Sequence, residues 1–228
     1  MHETADAEIL PIELSPITEP LSALLPLSVC ELSTAGTAAE RALFAGLLQC
    51  FHYLGHRGFV GENLQYLVRD PQDRPLACVL FGAPAWQCAQ RDHYIGWDSQ
   101  ARQRHLNFIT NNTRFLLLSS VPQLASYLLG QIARQVSHDW ERKYGHRLYL
   151  LESFVQRDRF LGTAYRAANW VCVGRTKGRS RQDQPNGAHY QRPLKDIYLY
   201  PLHPLFRELL QGKLPTQPAK PSEQPWNS

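Results

Sequence analysis

The chain has 228 residues, 43% of them hydrophobic and 19% charged, and its 24 basic and 20 acidic side chains give a net charge of +4. This composition is typical of a globular protein and excludes a disordered chain. No apolar run approaches the roughly 18 residues of a membrane helix, and the N-terminus lacks the pattern of a secretory signal. We therefore expect a cytoplasmic protein without a membrane partner.

The cysteines and histidines give little sign of a metal site. There are five scattered cysteines without a CxxC pair, which predicts reduced thiols. His52 and His56 have helical spacing, but Gly55 lies between them and no third ligand follows. We expect no metal.

The charges are distributed unevenly. Residues 1–40 contain seven acids and no Lys or Arg, so the remaining 188 residues hold 24 basic and 13 acidic side chains. A body with a net charge of +11 favours a polyanionic partner. The alternative is that the charges only keep the protein in solution.

Local patterns predict the elements in chain order. Residues 1–36 form an acidic, proline-rich arm, residues 37–211 a single domain and residues 212–228 a disordered tail. Thr37 and Glu40 form a capping box that opens a helix through Phe51. The further predicted elements are strands over Leu64–Arg69 and Leu76–Phe81, a helix over Ser99–Ile109, a strand over Phe115–Leu118, a helix from Pro122 to Gly145, a strand over Leu148–Val155, a short helix around Tyr165, and strands at Val171–Val173 and Asp196–Tyr200.

These elements predict a mixed α/β sheet, since two helices are placed as crossovers between neighbouring strands. The layout from the Leu148 strand onward resembles the GNAT acyltransferase fold. The resemblance implies that Tyr165 is the general acid that protonates the coenzyme A thiolate; the alternative is a half-buried tyrosine that packs beneath the sheet. It also implies a pyrophosphate loop at Ser120, Gln123 and Ala125 for acyl-CoA. Only Ala125 fits the GNAT pattern, so this loop is degenerate and an ordinary helix cap is the alternative.

A second resemblance rests on sequence words that occur in order along the chain. These words are His52–Gly55, Arg91–Asp92, Ile95–Trp97, Asn111–Asn112, Arg114–Leu116, Leu124–Ser126, Asp139–Trp140, Tyr144–Gly145 and Gly162–Trp170. Over about residues 40–202 they resemble the family of the Druantia anti-phage protein DruA. The resemblance implies a protein of bacterial defence or of transposase-associated mobile elements, with proteins of the same locus as partners.

Glu152 is the second candidate for catalysis. It lies on the apolar face of the predicted Leu148–Val155 strand, where a carboxylate needs a partner, and Arg166 or Arg147 is the expected one. Glu152 is then either a base or a structural anchor. Whether the protein is an enzyme stays open.

A polar stretch before the Phe115 strand is a candidate pocket for nucleic acid. In it Trp97 or Trp86 stacks a base, and amides or guanidinium groups read base edges or phosphates. The residues of this pocket are Arg91, Trp97, Asn111, Asn112 and Arg114. The alternative is that they cap loops, with Asn111–Asn112 as a turn.

The segment between the last two predicted strands is strongly basic. Its cations are Arg175, Lys177, Arg179, Arg181, Arg192 and Lys195, with Asp183 as the one acid between them. A glycine-containing basic loop suits phosphate backbones, whereas a solvated charge run is the alternative. We expect this loop to bind nucleic acid, and an acyl-CoA-dependent N-acyltransferase is the second hypothesis.

Overall fold

The computed structural model describes residue 14 and residues 16–56, 58, 61–177 and 193–216. The helices are α1 (Leu21–Leu24), α2 (Ala38–Phe51), α3 (Ala89–Ile95), α4 (Ser99–His105), α5 (Leu124–Tyr144), α6 (Thr163–Ala167) and α7 (Phe206–Leu210). The strands are β1 (Ser28–Glu31), β2 (Leu64–Arg69), β3 (Pro75–Gly82), β4 (Ile109–Leu117), β5 (Leu150–Gln156), β6 (Val171–Arg175) and β7 (Lys195–Pro201).

The strands form one mixed sheet in the order β1-β2-β3-β4-β5-β7-β6. Pairing is antiparallel between β1 and β2, β2 and β3, β5 and β7, and β6 and β7, and it is parallel between β4 and β5. The predicted α/β fold with a single mixed sheet is therefore confirmed. By packing, the described residues divide into two compact units, the first from 1–82 and 112–128 and the second from 83–111 and 129–228.

In the first unit, apolar side chains cover both faces of the sheet. Leu67 and Val68 are neighbours on β2 and so point to opposite faces, and each belongs to a different buried cluster. The α2 residues Phe44, Leu47 and Leu48 cover the Leu67 face. The Val68 cluster also contains Leu24, Leu27, Val121, Leu124 and Leu128.

The capping box at the start of α2 is present as predicted. The Glu40 amide donates to the Thr37 hydroxyl at 3.1 Å, and the Thr37 amide donates to the Glu40 carboxylate at 2.8 Å. These contacts satisfy two helix donors that would otherwise lack acceptors.

In the second unit, one core joins α3, α4 and α7 to the β5 and β7 strands. Ile95, Ala101 and Leu210 come from the helices, whereas Leu150 and Leu199 come from the strands. This core supports the region in which most of the candidate site residues lie.

The predicted boundaries around β4 were wrong. The helix predicted over Ser99–Ile109 ends at His105, a 3-10 turn covers Leu106–Phe108, and β4 begins at Ile109 rather than Phe115. Asn111 and Asn112 lie in this strand and not in a turn. Parallel pairing of β4 with β5, from Ile109–Leu150 to Asn111–Glu152, supplies the backbone partners that make Asn111 extended.

The patterns did not predict α1, β1, α3 or α7. Ser28–Glu31 lie within the predicted arm, yet they pair with β2 from Ser28–Arg69 to Glu31–Tyr66. A four-residue strand depends on such a neighbour and leaves almost no periodic signal in its own sequence.

Candidate functional site

The Glu152 carboxylate lies in a closed hydrogen-bond network of the second unit. Arg91 donates from Nη1 to Glu152 Oε2 at 2.9 Å, and the Ala85 amide donates to Oε1 at 2.6 Å. Both charged side chains are fully buried. Arg91 is therefore the partner of Glu152, and the expectation of Arg166 or Arg147 was wrong. The reason is that α3, which carries Arg91, left no recognisable pattern in the sequence.

The charges of Arg91 and Glu152 each shift the pKa of the other group. Burial disfavours the charged carboxylate and raises the pKa of Glu152, while the Arg91 guanidinium and the Ala85 amide oppose this shift. Burial lowers the pKa of Arg91, but the charges of Glu152 and Asp92 and the hydrogen bond to Glu152 together outweigh burial and raise it. A catalytic role of Glu152 stays a prediction, since both of its oxygens serve this network.

Asp92 extends the network to α4. Its carboxylate accepts from Arg91 at 3.0 Å, from the Trp97 indole at 2.9 Å and from Arg102 at 3.0 Å. Trp97 is only 9% exposed, and the Arg91 guanidinium lies 5.7 Å from its ring centre. The Arg102–Asp92 contact thus links α4 to α3. Arg91 and Trp97 bind the same carboxylate, and base recognition by them stays a prediction.

The residues of the predicted recognition pocket divide between the two units. Arg91, Trp97 and Asn111 belong to the second unit, and Asn112 and Arg114 to the first. Asn112 donates its amide to the carbonyls of Leu80 and of Arg114, at 3.2 and 3.0 Å.

Arg114 likewise makes internal hydrogen bonds. Its guanidinium donates to the carbonyls of Gly55 and Thr113 at 3.1 and 2.8 Å. Asn112 and Arg114 therefore stabilise the first unit around β4.

Tyr165 lies in a buried aromatic cluster. Its hydroxyl accepts from the Ser153 hydroxyl at 3.0 Å, its ring stacks on Tyr198 with centres 5.3 Å apart, and Trp170 meets it edge-on at 5.1 Å. Only 8% of Tyr165 is exposed. These contacts are those of a core tyrosine, and its role as a general acid stays a prediction.

The segment predicted as a pyrophosphate loop precedes α5. Gln123 has a positive φ of 66° and is exposed, and its carbonyl accepts from the Ser126 hydroxyl at 3.1 Å. Ser120 is exposed and Ala125 half-buried. Binding of acyl-CoA by Ser120, Gln123 and Ala125 stays a prediction.

Neither a metal cluster nor a membrane span is found in the described part of the chain. Within those residues no three His, Cys, Asp or Glu side chains are grouped so that they could hold a metal ion. The helices described are also too short or too polar to cross a membrane. His52 has a pKa lowered to about 4 by burial and by the nearby Arg114, so its imidazole is neutral at pH 7.

The basic segment leaves the sheet at the end of the β6–β7 hairpin. Arg175 and Lys177 are exposed there, and Lys195 is half-buried. Two hydrogen bonds join the end of β6 to the start of β7. The Thr176 amide donates to the Lys195 carbonyl at 2.9 Å, and the Lys195 amide donates to the Thr176 side-chain hydroxyl at 3.0 Å. The other predicted cations, Arg179, Arg181 and Arg192, lie outside the described residues.

Two further cations join this surface, and the sequence patterns did not single them out. Arg157 and Arg159 follow β5 directly, and both are exposed. The antiparallel register places Gln156 opposite Lys195, and the Arg157 amide donates to the Leu194 carbonyl at 3.1 Å. The sequence Arg157-Asp158-Arg159 after a predicted strand could have indicated a cationic site. Only the pairing of β5 with β7 brings these residues next to the other cations.

We call the set of Arg157, Arg159, Arg175, Lys177 and Lys195 the hairpin-end surface. Asp196 lies at its base, 3.3 Å from the Arg175 guanidinium and 4.0 Å from that of Arg157. Both arginines are about half exposed, so these ion pairs orient the side chains and leave them accessible.

The fold and this surface define an α/β protein with a mixed sheet and a cationic hairpin end. The family model of Druantia protein DruA matches residues 10–192. The chain therefore belongs to the DruA family of Druantia defence proteins, as the sequence words predicted. The match also takes in most of the predicted N-terminal arm.

Comparison of the fold with solved structures gives spermidine N-acetyltransferases of Vibrio cholerae. The form with CoA and spermine is 9% identical at a TM-score of 0.46, covering 77% of this chain and 95% of that chain. A form with manganese ions is 9% identical at 0.44, covering 77% and 92%. A dodecameric form is 8% identical at 0.39, covering 61% and 65%. All three scores lie below 0.5, and we transfer no activity from them. No curated protein matches the sequence.

Proposed function

We propose that this DruA-family protein binds nucleic acid through the hairpin-end surface. The observation that carries the proposal is the convergence of three chain segments, since the end of β5, the end of β6 and the start of β7 bring five cations together. The two carboxylates of these segments, Asp158 and Asp196, leave a local excess of three positive charges.

Phosphate backbones suit such a surface. Exposed Arg and Lys side chains bind phosphate oxygens without reading sequence, and they release condensed counterions. The proposal therefore requires affinity that is similar for different sequences and that falls steeply with salt.

The arrangement of the surface supports this proposal further. Arg175 and Lys177 extend from one strand end, whereas Arg157 and Arg159 extend from another. Backbone hydrogen bonds at both positions fix the spacing of these cations before a ligand arrives. A prearranged surface loses less side-chain and loop freedom on binding.

Fluorescence anisotropy tests the proposal with labelled single- and double-stranded oligonucleotides over a salt series. The double variant Arg175→Ala with Lys177→Ala is expected to weaken binding to all sequences. The slope of log affinity against log salt should also become less negative, by about 1.8 on duplex DNA or about 1.4 on a single strand, because two phosphate contacts are lost.

The matched control is Arg104→Ala with Arg134→Ala, which removes two exposed cations elsewhere on the same unit. It should leave the salt slope nearly unchanged. An absence of binding by the unaltered protein at low salt, or equal slopes for the Arg175/Lys177 variant and the unaltered protein, would refute the proposal.

A further inference from the structure

The turn between β5 and α6 exposes apolar side chains beside the hairpin-end surface. Phe160 is 48% exposed and Leu161 is 77% exposed. Leu194, which accepts the Arg157 amide through its carbonyl, is 49% exposed. Single exposed apolar residues are normal, but three beside a group of cations form a combined apolar and cationic surface.

The turn is held in place by its own hydrogen bonds. The amides of Arg159 and Phe160 both donate to the Gln156 carbonyl, at 3.3 and 2.9 Å. Gly162 then starts α6 with a φ of 67°, and its Cα lies against the Tyr198 hydroxyl. Phe160 is therefore presented at a fixed position next to Arg157 and Arg159.

We propose that Phe160 stacks an unpaired base while the hairpin-end cations hold the adjacent phosphates, so that the ligand is a single-stranded nucleic acid. This inference rests on the proposed nucleic-acid binding and names its substrate class. An exposed aromatic ring beside cations is the arrangement that single-strand binding uses, because every base offers a flat face and stacking needs no sequence readout.

Duplex DNA makes fewer favourable contacts with this surface than a single strand does. Its bases are stacked on one another and paired, so the Phe160 ring meets only the backbone, and the cations supply all of the affinity. A single strand gains the stacking contact in addition. The inference therefore predicts a preference for single strands that depends on the Phe160 ring.

The test compares Phe160→Ala with the unaltered protein on a single-stranded oligonucleotide and on a blunt-ended duplex of two complementary strands. Loss of a stacked base should weaken single-strand binding by about 5- to 150-fold and leave duplex binding nearly unchanged. Phe160→Tyr should retain single-strand binding, since it keeps the ring. Because the Phe160 side chain is half exposed, both variants are expected to fold, which circular dichroism checks.

Two controls isolate the ring. Leu205→Ala removes a side chain of similar exposure, 46%, elsewhere on the same unit and should change nothing. An oligonucleotide in which every nucleotide is abasic offers no base to stack, so Phe160→Ala should bind it as tightly as the unaltered protein does.

The outcomes separate the two proposals. Equal effects of Phe160→Ala on single and double strands, or no effect on either, would overturn the stacking inference. The proposed nucleic-acid binding would still stand if the Arg175/Lys177 variant bound more weakly and with a flatter salt slope than the unaltered protein. A loss with Trp86→Ala instead, the exposed tryptophan of the same unit, would also overturn the role of Phe160. Binding of a protein partner through Phe160, with nucleic-acid affinity unchanged, would do so too.

Discussion

Replacing Arg91 by Met should strongly destabilise the second unit. The change removes the guanidinium that donates to Glu152 at 2.9 Å and to the Ala85 carbonyl at 2.7 Å, and it leaves a carboxylate that is fully buried. Breaking a buried ion pair by removing one partner costs about 3–5 kcal/mol. For a chain of this size each kcal/mol lowers the melting temperature by about 2–4 °C.

The loss should depend on pH in a defined direction. Burial already raises the pKa of Glu152, and without Arg91 it rises further because the main opposing charge is gone. A carboxyl with a raised folded pKa favours folding while it is protonated, and this contribution is lost as pH rises through that pKa. The destabilisation by Arg91→Met should therefore be smaller at pH 5 than at pH 8.

Urea unfolding followed by circular dichroism at both pH values measures this loss. The double variant Arg91→Met with Glu152→Leu should recover much of the stability, since it removes both buried charges. The control is Arg147→Met, which breaks an exposed ion pair with Glu141 and should cost less than about 1 kcal/mol. A cost below about 1 kcal/mol for Arg91→Met, or a double variant as unstable as the sum of the two single ones, would refute the reasoning.

Two further changes test other local contacts. Burial raises the pKa of Asp70, but hydrogen bonds from the Arg74 amide and guanidinium outweigh burial and lower the pKa. The Asp70 carboxylate therefore stabilises the folded protein above the pKa of the unfolded state. This stabilisation is lost as pH falls through the pKa of the folded state. Asp70→Asn should cost about 1–2 kcal/mol at pH 7 and little near pH 2 in urea unfolding; equal losses at both pH values would contradict this. Gly162→Ala should cost more than about 2 kcal/mol, because its φ is 67° and the new methyl group would overlap the Tyr198 hydroxyl. Gly145→Ala is the control, because Gly145 has a similar φ of 76° but open space around the added methyl group, and it should cost only about 1 kcal/mol. Thermal melts of both variants measure the two losses, and equal losses would argue against the overlap.

The local patterns of the sequence predicted the elements that carry their own signal. The Thr37–Glu40 capping box places the start of α2, and the turn between β2 and β3 separates two runs of apolar residues. These features act between residues close in the chain, so the sequence displays them directly. The order of the elements was enough for the mixed α/β fold, and the sequence words that occur in order along the chain were enough for the family.

The candidate site depended on contacts between distant residues. Glu152 binds Arg91, which lies 61 positions away in the sequence. The cations after β5 lie close to those of the hairpin only because β5 pairs with β7. Asn111 is extended because β5 lies beside it, although its own residue type favours a turn.

The sequence by itself thus determined the fold class, the family and the excess of positive charge in the body. The tertiary structure decided which of those charges are buried partners, as Arg91 is, and which are exposed together, as Arg157 and Arg175 are. The physical reason is that local patterns report on hydrogen bonds and packing within a few residues, whereas burial and charge pairing are set by segments that meet only after folding.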